Sequence, residues 1–559
     1  MSLLAQNLLT LVIFLPLVFA ALVALLPAGE RGQIRALSLV ATLVDLALGV
    51  GLYLSFDPRG AELQMETRLR WLDELGISFH LGVDGLAVSL ILLTVFLGPV
   101  VVLASTYVTD RVKELHLSLL VLQTAMMGAL ASLDVIVFYI FWEAMLIPMY
   151  LLIGVWGSEE RQMAAVKFFL YTLAGSLLML VGILAIYFVS QPVGPRSFDY
   201  AAIYNALLSA NRELGACAGP GGCPQLSPAA SALQTYGPLL FFAFALAFAI
   251  KVPMFPLHTW LPDAHVQAPV AGSVILAGVM LKMGTFGFWR YAVPLFPSAA
   301  RQWRDLFAAL AVVGIVYGAL MCLAQRDVKK LIAYSSVSHL GFCMLGMFAF
   351  TVEGAAGSSY QMLSHGISTG ALFLLFGMLY ERRHTRLISD FGGIAKVMPM
   401  FAAVFLVITF SSVAVPGTNG FVGEFLVLLG TFKSSLSLWY GVLAATAVIL
   451  GAAYMLWMVQ RVFFGQLVHR ENAHLRDLGL REALTALPLV AAALGMGLYP
   501  RPFLERLQVS TDRFVARASV GVPGAEPEDE KVRFQVLPLP PQAEEQKPAA
   551  QPPQVSANP

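Results

Sequence analysis

Apolar stretches of about twenty residues recur through this chain between short polar breaks, and they leave it only one solvent in which to fold. Of its 559 residues, 58% are hydrophobic and only 12% are charged, against roughly 25% charged in a soluble domain. Lipid must be the solvent, and backbone in lipid has to satisfy itself within helices. The runs predict an all-α polytopic membrane protein of about fourteen transmembrane helices, near 5–27, 35–55, 84–107, 115–133, 134–157, 164–190, 235–256, 269–297, 304–325, 328–350, 357–381, 398–430, 436–465 and 483–505. The first stretch, Leu8 to Leu26, lacks a basic leader and a small-residue cleavage site, so it reads as a retained span. The alternation over 57–83 suggests an external hairpin. After about 510 the chain turns polar and rich in Pro, Glu and Gln, which predicts a disordered tail or an extended strap on a neighbour.

Loop charges orient such a chain. Arg31, Arg35, Arg111, Lys113, Arg326, Lys329, Lys330, Arg382, Arg383, Arg386, Lys396, Arg461, Arg470, Arg476 and Arg481 all follow odd-numbered spans. Both termini and the 191–234 loop are therefore expected on the outer side of a cell inner (plasma) membrane. Cys217 and Cys223 in that loop either pair in an oxidising compartment or stand as free thiols. Cys322 and Cys343 lie in apolar runs and read as inert core.

Two spans carry breakers at mid-membrane: Lys251-Val-Pro253-Met-Phe-Pro256 in the seventh, and Val415-Pro416-Gly417-Thr-Asn419-Gly420 in the twelfth. Spans four to eight and nine to thirteen each make five helices, and the broken one is fourth in each set. Five is odd, so the second set must run opposite to the first, which predicts an inverted repeat with its site at the interruptions. The expected divisions are 1–114 (three-helix segment), 115–298 and 299–465 (the two repeats), 466–510 (connecting helix and span) and 511–559 (tail).

Titratable groups recur inside these spans at a cost of several kcal/mol each. Glu143 sits within Phe-Trp-Glu-Ala-Met-Leu-Ile-Pro, and Lys251 ends a Phe/Ala-rich run. The two read as a pair that keeps both charged, or as a static staple between helices. Lys282 lies some 20 Å into its span with no acid beside it on that helix. His339 and His365 sit among serines and suit proton relay, although a lone core histidine is often just satisfied. Glu424 follows the second break as the mirror of Lys251. Asp45 and Lys167 also sit in or near spans and are further candidates without an evident partner. His258, Asp263 and His265 have poor metal spacing and read instead as a polar loop closing a channel mouth. A net charge of +1 argues against nucleic acid, and no nucleotide loop, iron–sulfur or haem pattern occurs. No cofactor is expected in this chain.

His80-Leu-Gly-Val-Asp-Gly-Leu, Phe141-Trp-Glu-Ala-Met-Leu-Ile-Pro, Lys251 through His265, Gln267-Ala-Pro-Val-Ala-Gly-Ser, Tyr334-Ser-Ser-Val-Ser-His-Leu-Gly, Ser364-His-Gly and Gly420-Phe-Val-Gly-Glu-Phe together carry a resemblance. Over roughly residues 1–510 the chain resembles the antiporter-like, proton-translocating membrane subunits of respiratory complex I, a family shared with Mrp-type sodium/proton antiporters. The resemblance implies a proton path in a multisubunit NADH-quinone oxidoreductase, driven by quinone reduction elsewhere. It implies Glu143 and Lys251 as a coupled pair, Lys282 as central relay, His339 and His365 as relay histidines, and Glu424 as the exit group. The implied partners are other membrane-arm subunits, antiporter-like neighbours among them, and the bilayer. An Mrp antiporter subunit, a membrane-bound hydrogenase subunit and a passive scaffold are the competing readings.

Overall fold

The computed structural model describes residues 7–189, 197–217, 225–522, 527–535 and 537–539. Among these, thirteen helices are long and apolar enough to cross a membrane. In chain order they begin with α1 (Leu8–Leu25) and α2 (Arg31–Ser55). A two-stranded antiparallel hairpin, β1 (Gln64–Leu72) and β2 (Ile77–Val83), follows over the stretch read as a hairpin. Then come α3 (Gly85–Ala104), α4 (Val112–Ala131), α5 (Val135–Trp156) and α6 (Arg161–Val189). A connecting helix α7 (Tyr200–Cys217) leads to α8 (Pro228–Lys251). Cys223 falls outside the described residues, so its pairing with Cys217 does too.

After α8 come a short α9 (Trp260–Gln267), α10 (Val270–Leu295), α11 (Arg304–Ala324), α12 (Val328–Phe348) and α13 (Val352–Arg383). Two shorter helices, α14 (Pro399–Ser412) and α15 (Asn419–Lys433), together take the place of the remaining span. The chain then forms α16 (Leu438–Phe463), α17 (Leu480–Leu498) and α18 (Arg501–Ala518). Burial ranks the spans. α13 is buried along its whole apolar length and α10 and α12 nearly so, while α1 and α17 expose most of theirs. The helices bearing Lys282, His339 and His365 are thus the innermost of the bundle.

Both interruptions fall where proline and glycine predict them, and the freed backbone groups find partners as burial demands. After Lys251 the carbonyl of Ile250 accepts the Trp260 indole N–H at 2.9 Å. At the second break Ala414 takes a left-handed φ of 58°. Asn419 exchanges bonds there with Ser364 of α13: Ser364 Oγ donates to its carbonyl at 2.9 Å, and its Nδ2 donates to the Ser364 carbonyl at 3.3 Å.

The tail expectation needs correction. Residues 511–518 are not disordered: they complete α18, whose buried Leu507, Ser510, Thr511, Phe514 and Arg517 recur at helical spacing. Polar composition concealed that stripe. Arg517 donates to both oxygens of buried Glu62 at 2.7 and 2.6 Å, and its guanidinium lies 3.7 Å from the Phe534 ring centroid. Asn205 of α7 exchanges two bonds with the Phe534 backbone at 2.9 and 3.2 Å. Residues 527–535 therefore strap α7, α18 and the hairpin region of their own chain together. Cys322 and Cys343 are buried, as their apolar runs predict.

Candidate functional site

Four of the six predicted site residues form one buried line. Lys282 Nζ lies 2.7 Å from His365 Nδ1 and also bonds the Ala277 carbonyl. The His365 ring centroid is 5.7 Å from that of His339. His339 Nδ1 meets Glu424 Oε1 at 2.9 Å, and Gln361 Nε2 donates to the same oxygen at 3.2 Å. Ser412, at the end of α14, lies 3.4 Å from His339 Nε2. The line runs from α10 through α13 and α12 to α15, and every member is less than a tenth exposed.

Local backbone sets this up. Lys282 is flanked by two π-helical segments, Leu276–Met280 and Phe288–Ala292, a distortion that recurs at functional positions. The first releases the Ala277 carbonyl toward the lysine. A side chain on Gly366 would press to 2.6 Å from Leu93 and 2.7 Å from the Gly278 carbonyl. Glycine there lets α13 approach α10 closely enough for His365 to reach Lys282. Helical repeat explains Gln361, which lies one turn before His365 on the same face.

Glu143 and Lys251 stand apart from this line. Pro148 cannot donate to the Ala144 carbonyl, and α5 turns at Met145, beside Glu143. Glu143 lies within electrostatic reach of Lys251 and of Tyr139 one turn back, and its Oε1 is buried without a hydrogen-bond partner. Among the described residues, however, no ion pair joins it to the lysine. Lys251 Nζ instead faces the rings of Trp142 and Phe168, at 5.2 and 5.8 Å from their centroids. A cation over an aromatic face keeps part of the stabilisation an anion would supply.

Sequence reasoning missed His265. The stretch read as a loop is helix α9, and His265 is buried there with both ring nitrogens unpartnered, its ring stacked 4.4 Å from Phe373. It lies within electrostatic reach of both Lys282 and His365. Asp263 of the same helix pairs with Lys167 at 2.7 Å, giving that lysine the partner the sequence did not reveal. Asp45 accepts a bond from Gln123 at 2.6 Å. Among the described residues no His, Cys, Asp and Glu group has the arrangement of a metal site.

A second polar cluster lies at the hairpin. His80 is held between Asp199 at 2.6 Å and Glu66 at 3.0 Å. Burial opposes its positive charge, but the bonds and charges of Asp199 and Glu66 outweigh that cost and hold its pKa above the usual value.

The interrupted helices and the buried amine–imidazole–carboxylate line define a multi-pass membrane protein with a titratable core. The chain belongs to the NADH:quinone oxidoreductase/Mrp antiporter transmembrane family, whose model matches residues 132–451. It is 45% identical to NADH-quinone oxidoreductase subunit M of Rhodobacter capsulatus, over 89% of this chain and 94% of that protein. It is 38% identical to NADH-ubiquinone oxidoreductase chain 4 of Marchantia polymorpha, over 90% and 96%. Among solved structures it superposes on a chain of respiratory complex I from Thermus thermophilus with a TM-score of 0.79 and 34% identity, covering 91% of this chain and 99% of that one. A chain of the Mrp complex from Dietzia sp. shares the fold, with a TM-score of 0.76 at 20% identity over 94% and 99%.

Proposed function

We infer that this chain is a proton-translocating membrane subunit of an NADH-quinone oxidoreductase, of the subunit M or chain 4 type. The chain-long identity to such subunits favours this reading over an Mrp antiporter, with which the likeness is one of fold. Its partners are then the other membrane-arm subunits, antiporter-like neighbours among them. Quinone reduction elsewhere supplies the energy. The excess of basic residues on the loops after odd-numbered spans supports a plasma-membrane orientation with both termini outside. The matching interruptions after α8 and α14 support two inverted five-helix repeats.

The observation that carries the mechanism is the line Lys282–His365–His339–Glu424, buried from end to end. A proton on Lys282 can pass to His365 Nδ1 directly. The step between the two imidazoles needs one bridging water or a ring rotation. His339 then delivers to Glu424, the exit group. Lys251 loads the path, and His265 links it to Lys282. Glu143 is the gate: its approach to Lys251 stabilises the ammonium, and its withdrawal sends the proton onward.

Lys282→Ala separates a relay from a scaffold. In complex reconstituted into vesicles, the variant is expected to retain every subunit and to acidify the lumen with a lower proton-to-electron ratio. An unchanged ratio would leave the chain as a passive scaffold.

A further inference from the structure

Asp45 lies outside the relay, on α2, roughly 20 Å along that helix from its first residue, within a hydrocarbon core of about 30 Å. Its side chain is fully buried. The polar partner of its carboxyl is Gln123 of α4, whose Nε2 donates to Oδ2 at 2.6 Å; Oδ1 is buried with none. Gly98 of α3 makes room for this pair, because a Cβ there would come 2.9 Å from Gln123 Oε1 and 3.2 Å from its Nε2.

The charge state follows from what surrounds it. α2 packs against α1, α3 and α4. Neither α1 nor α3 contains a titratable side chain. On α4 the titratable groups are Lys113, Glu114 and His116, all in the first turns. Lys113 bonds the carbonyls of Ala24 and Leu26, and Glu114 faces Arg111. On α2 itself Arg31 and Arg35 lie at the start, and Arg35 is engaged by the Val108 carbonyl at 2.7 Å. From Arg35 to Asp45 is ten residues, about 15 Å. Tyr53, two turns beyond Asp45, is uncharged. Arg506 of α18 reaches α2 there, donating to the Tyr53 carbonyl at 3.3 Å with its guanidinium 4.3 Å from the Tyr53 ring centroid. That point is eight residues, about 12 Å along the helix, from Asp45. Among the described residues no cation is therefore placed to compensate an ionised carboxylate, and a bare buried charge is the state least tolerated in such a site.

We propose that Asp45 and Gln123 form a proton-binding site where the N-terminal three-helix segment meets α4, in which Asp45 is held as a neutral carboxylic acid. An amide and a carboxylic acid are complementary. The amide N–H already donates to Oδ2. A proton on Oδ1 turns that oxygen from an orphaned acceptor into a donor, for which the Gln123 carbonyl is the available acceptor. A sodium ion would require several converging oxygens, and one carboxylate oxygen with one amide oxygen is too sparse a set. The site is not isolated from the relay. Leu97, on α3 beside Gly98, fills the space a side chain on Gly278 would occupy, next to the carbonyl that holds Lys282. One helix layer thus separates the bound proton from the relay amine.

The test is infrared difference spectroscopy of the intact complex at neutral pH, wild type minus Asp45→Asn. The expected result is loss of one carbonyl-stretch band of a protonated carboxyl in the variant. If that region is unchanged and a carboxylate band is lost instead, the proposal is overturned. Where Asp45→Asn does not assemble, Gln123→Leu serves. It removes the amide partner, and the same band must shift to higher frequency; a spectrum without that shift also overturns the proposal. Neither readout depends on pumping, so the result is independent of the relay assignment.

Discussion

At the scale of single residues, the ion carried is set by the donors lining the path. Between Lys282 and Glu424 stand an amine, two imidazoles and one carboxylate already engaged by His339 and Gln361. Hard alkali cations seek clustered oxygens, whereas this line offers nitrogen bases that exchange protons. Acidification by reconstituted complex is therefore expected to proceed at the same initial rate in sodium-free and sodium-containing buffer. A sodium requirement measured in the same vesicles would refute proton carriage. Residue identity alone pointed to all four groups, because each breaks an apolar run. The partner of Lys282 was not legible: His365 lies eighty-three positions away, and only the close approach at Gly366 joins them. His265 was hidden by its neighbours, since two flanking prolines and a polar sequence resemble a loop. His80 carries a pH dependence with a definite sign. Its folded pKa is raised, so its stabilisation is complete below its unfolded value, near 6.5, and is lost as pH rises through the folded value. Amide exchange in β2 is expected to quicken over that upper range, and in His80→Gln the pH step should vanish.

At the scale of elements, spans were readable because twenty-residue hydropathy is a coarse property, and breaks because proline and glycine act locally. Neither property announces α18. Its apolar stripe is narrow, and its strongest anchor is a charged pair, Arg517 with Glu62, that only the folded chain brings together. The π segments around Lys282 were equally silent, since a single extra residue per turn leaves no compositional trace. The Arg517 pair makes a sharp prediction about the strap. Arg517→Ala would strip buried Glu62 of its two short bonds and leave it only the 3.4 Å contact with Arg513, at a cost approaching that of a broken buried pair, about 3–5 kcal/mol. Limited proteolysis of the purified complex should then cut near residues 57–83 and 520–535 much faster than in wild type. The double variant Arg517→Met, Glu62→Leu removes both charges, and it should recover most of the resistance. If the double variant is as sensitive as the single one, the strap is held by packing rather than by this pair.

At the scale of the whole molecule, the question is whether one pair of charges can drive a transported proton. Moving one charge against roughly 150–200 mV costs about 3.5–4.6 kcal/mol. Two opposite charges at 4 Å, with an effective dielectric near 20, attract by about 4 kcal/mol. Closing and opening a contact between Glu143 and Lys251 therefore matches the size of the stroke. In the structure the two groups sense each other without an ion pair, and Lys251 Nζ lies over Trp142 and Phe168, the arrangement that the open side of such a cycle would require. A gate of this kind acts through charge, so its removal need not disturb packing; Glu143 is nearly isosteric with Gln. In Glu143→Gln the complex should assemble with full subunit content, while proton translocation through this subunit is lost and the proton-to-electron ratio falls by its share. Glu143→Asp keeps the charge on a shorter arm and should restore part of the ratio. If Glu143→Gln pumps at the wild-type ratio, the energy enters this chain by another route and the Glu143–Lys251 pair is merely structural.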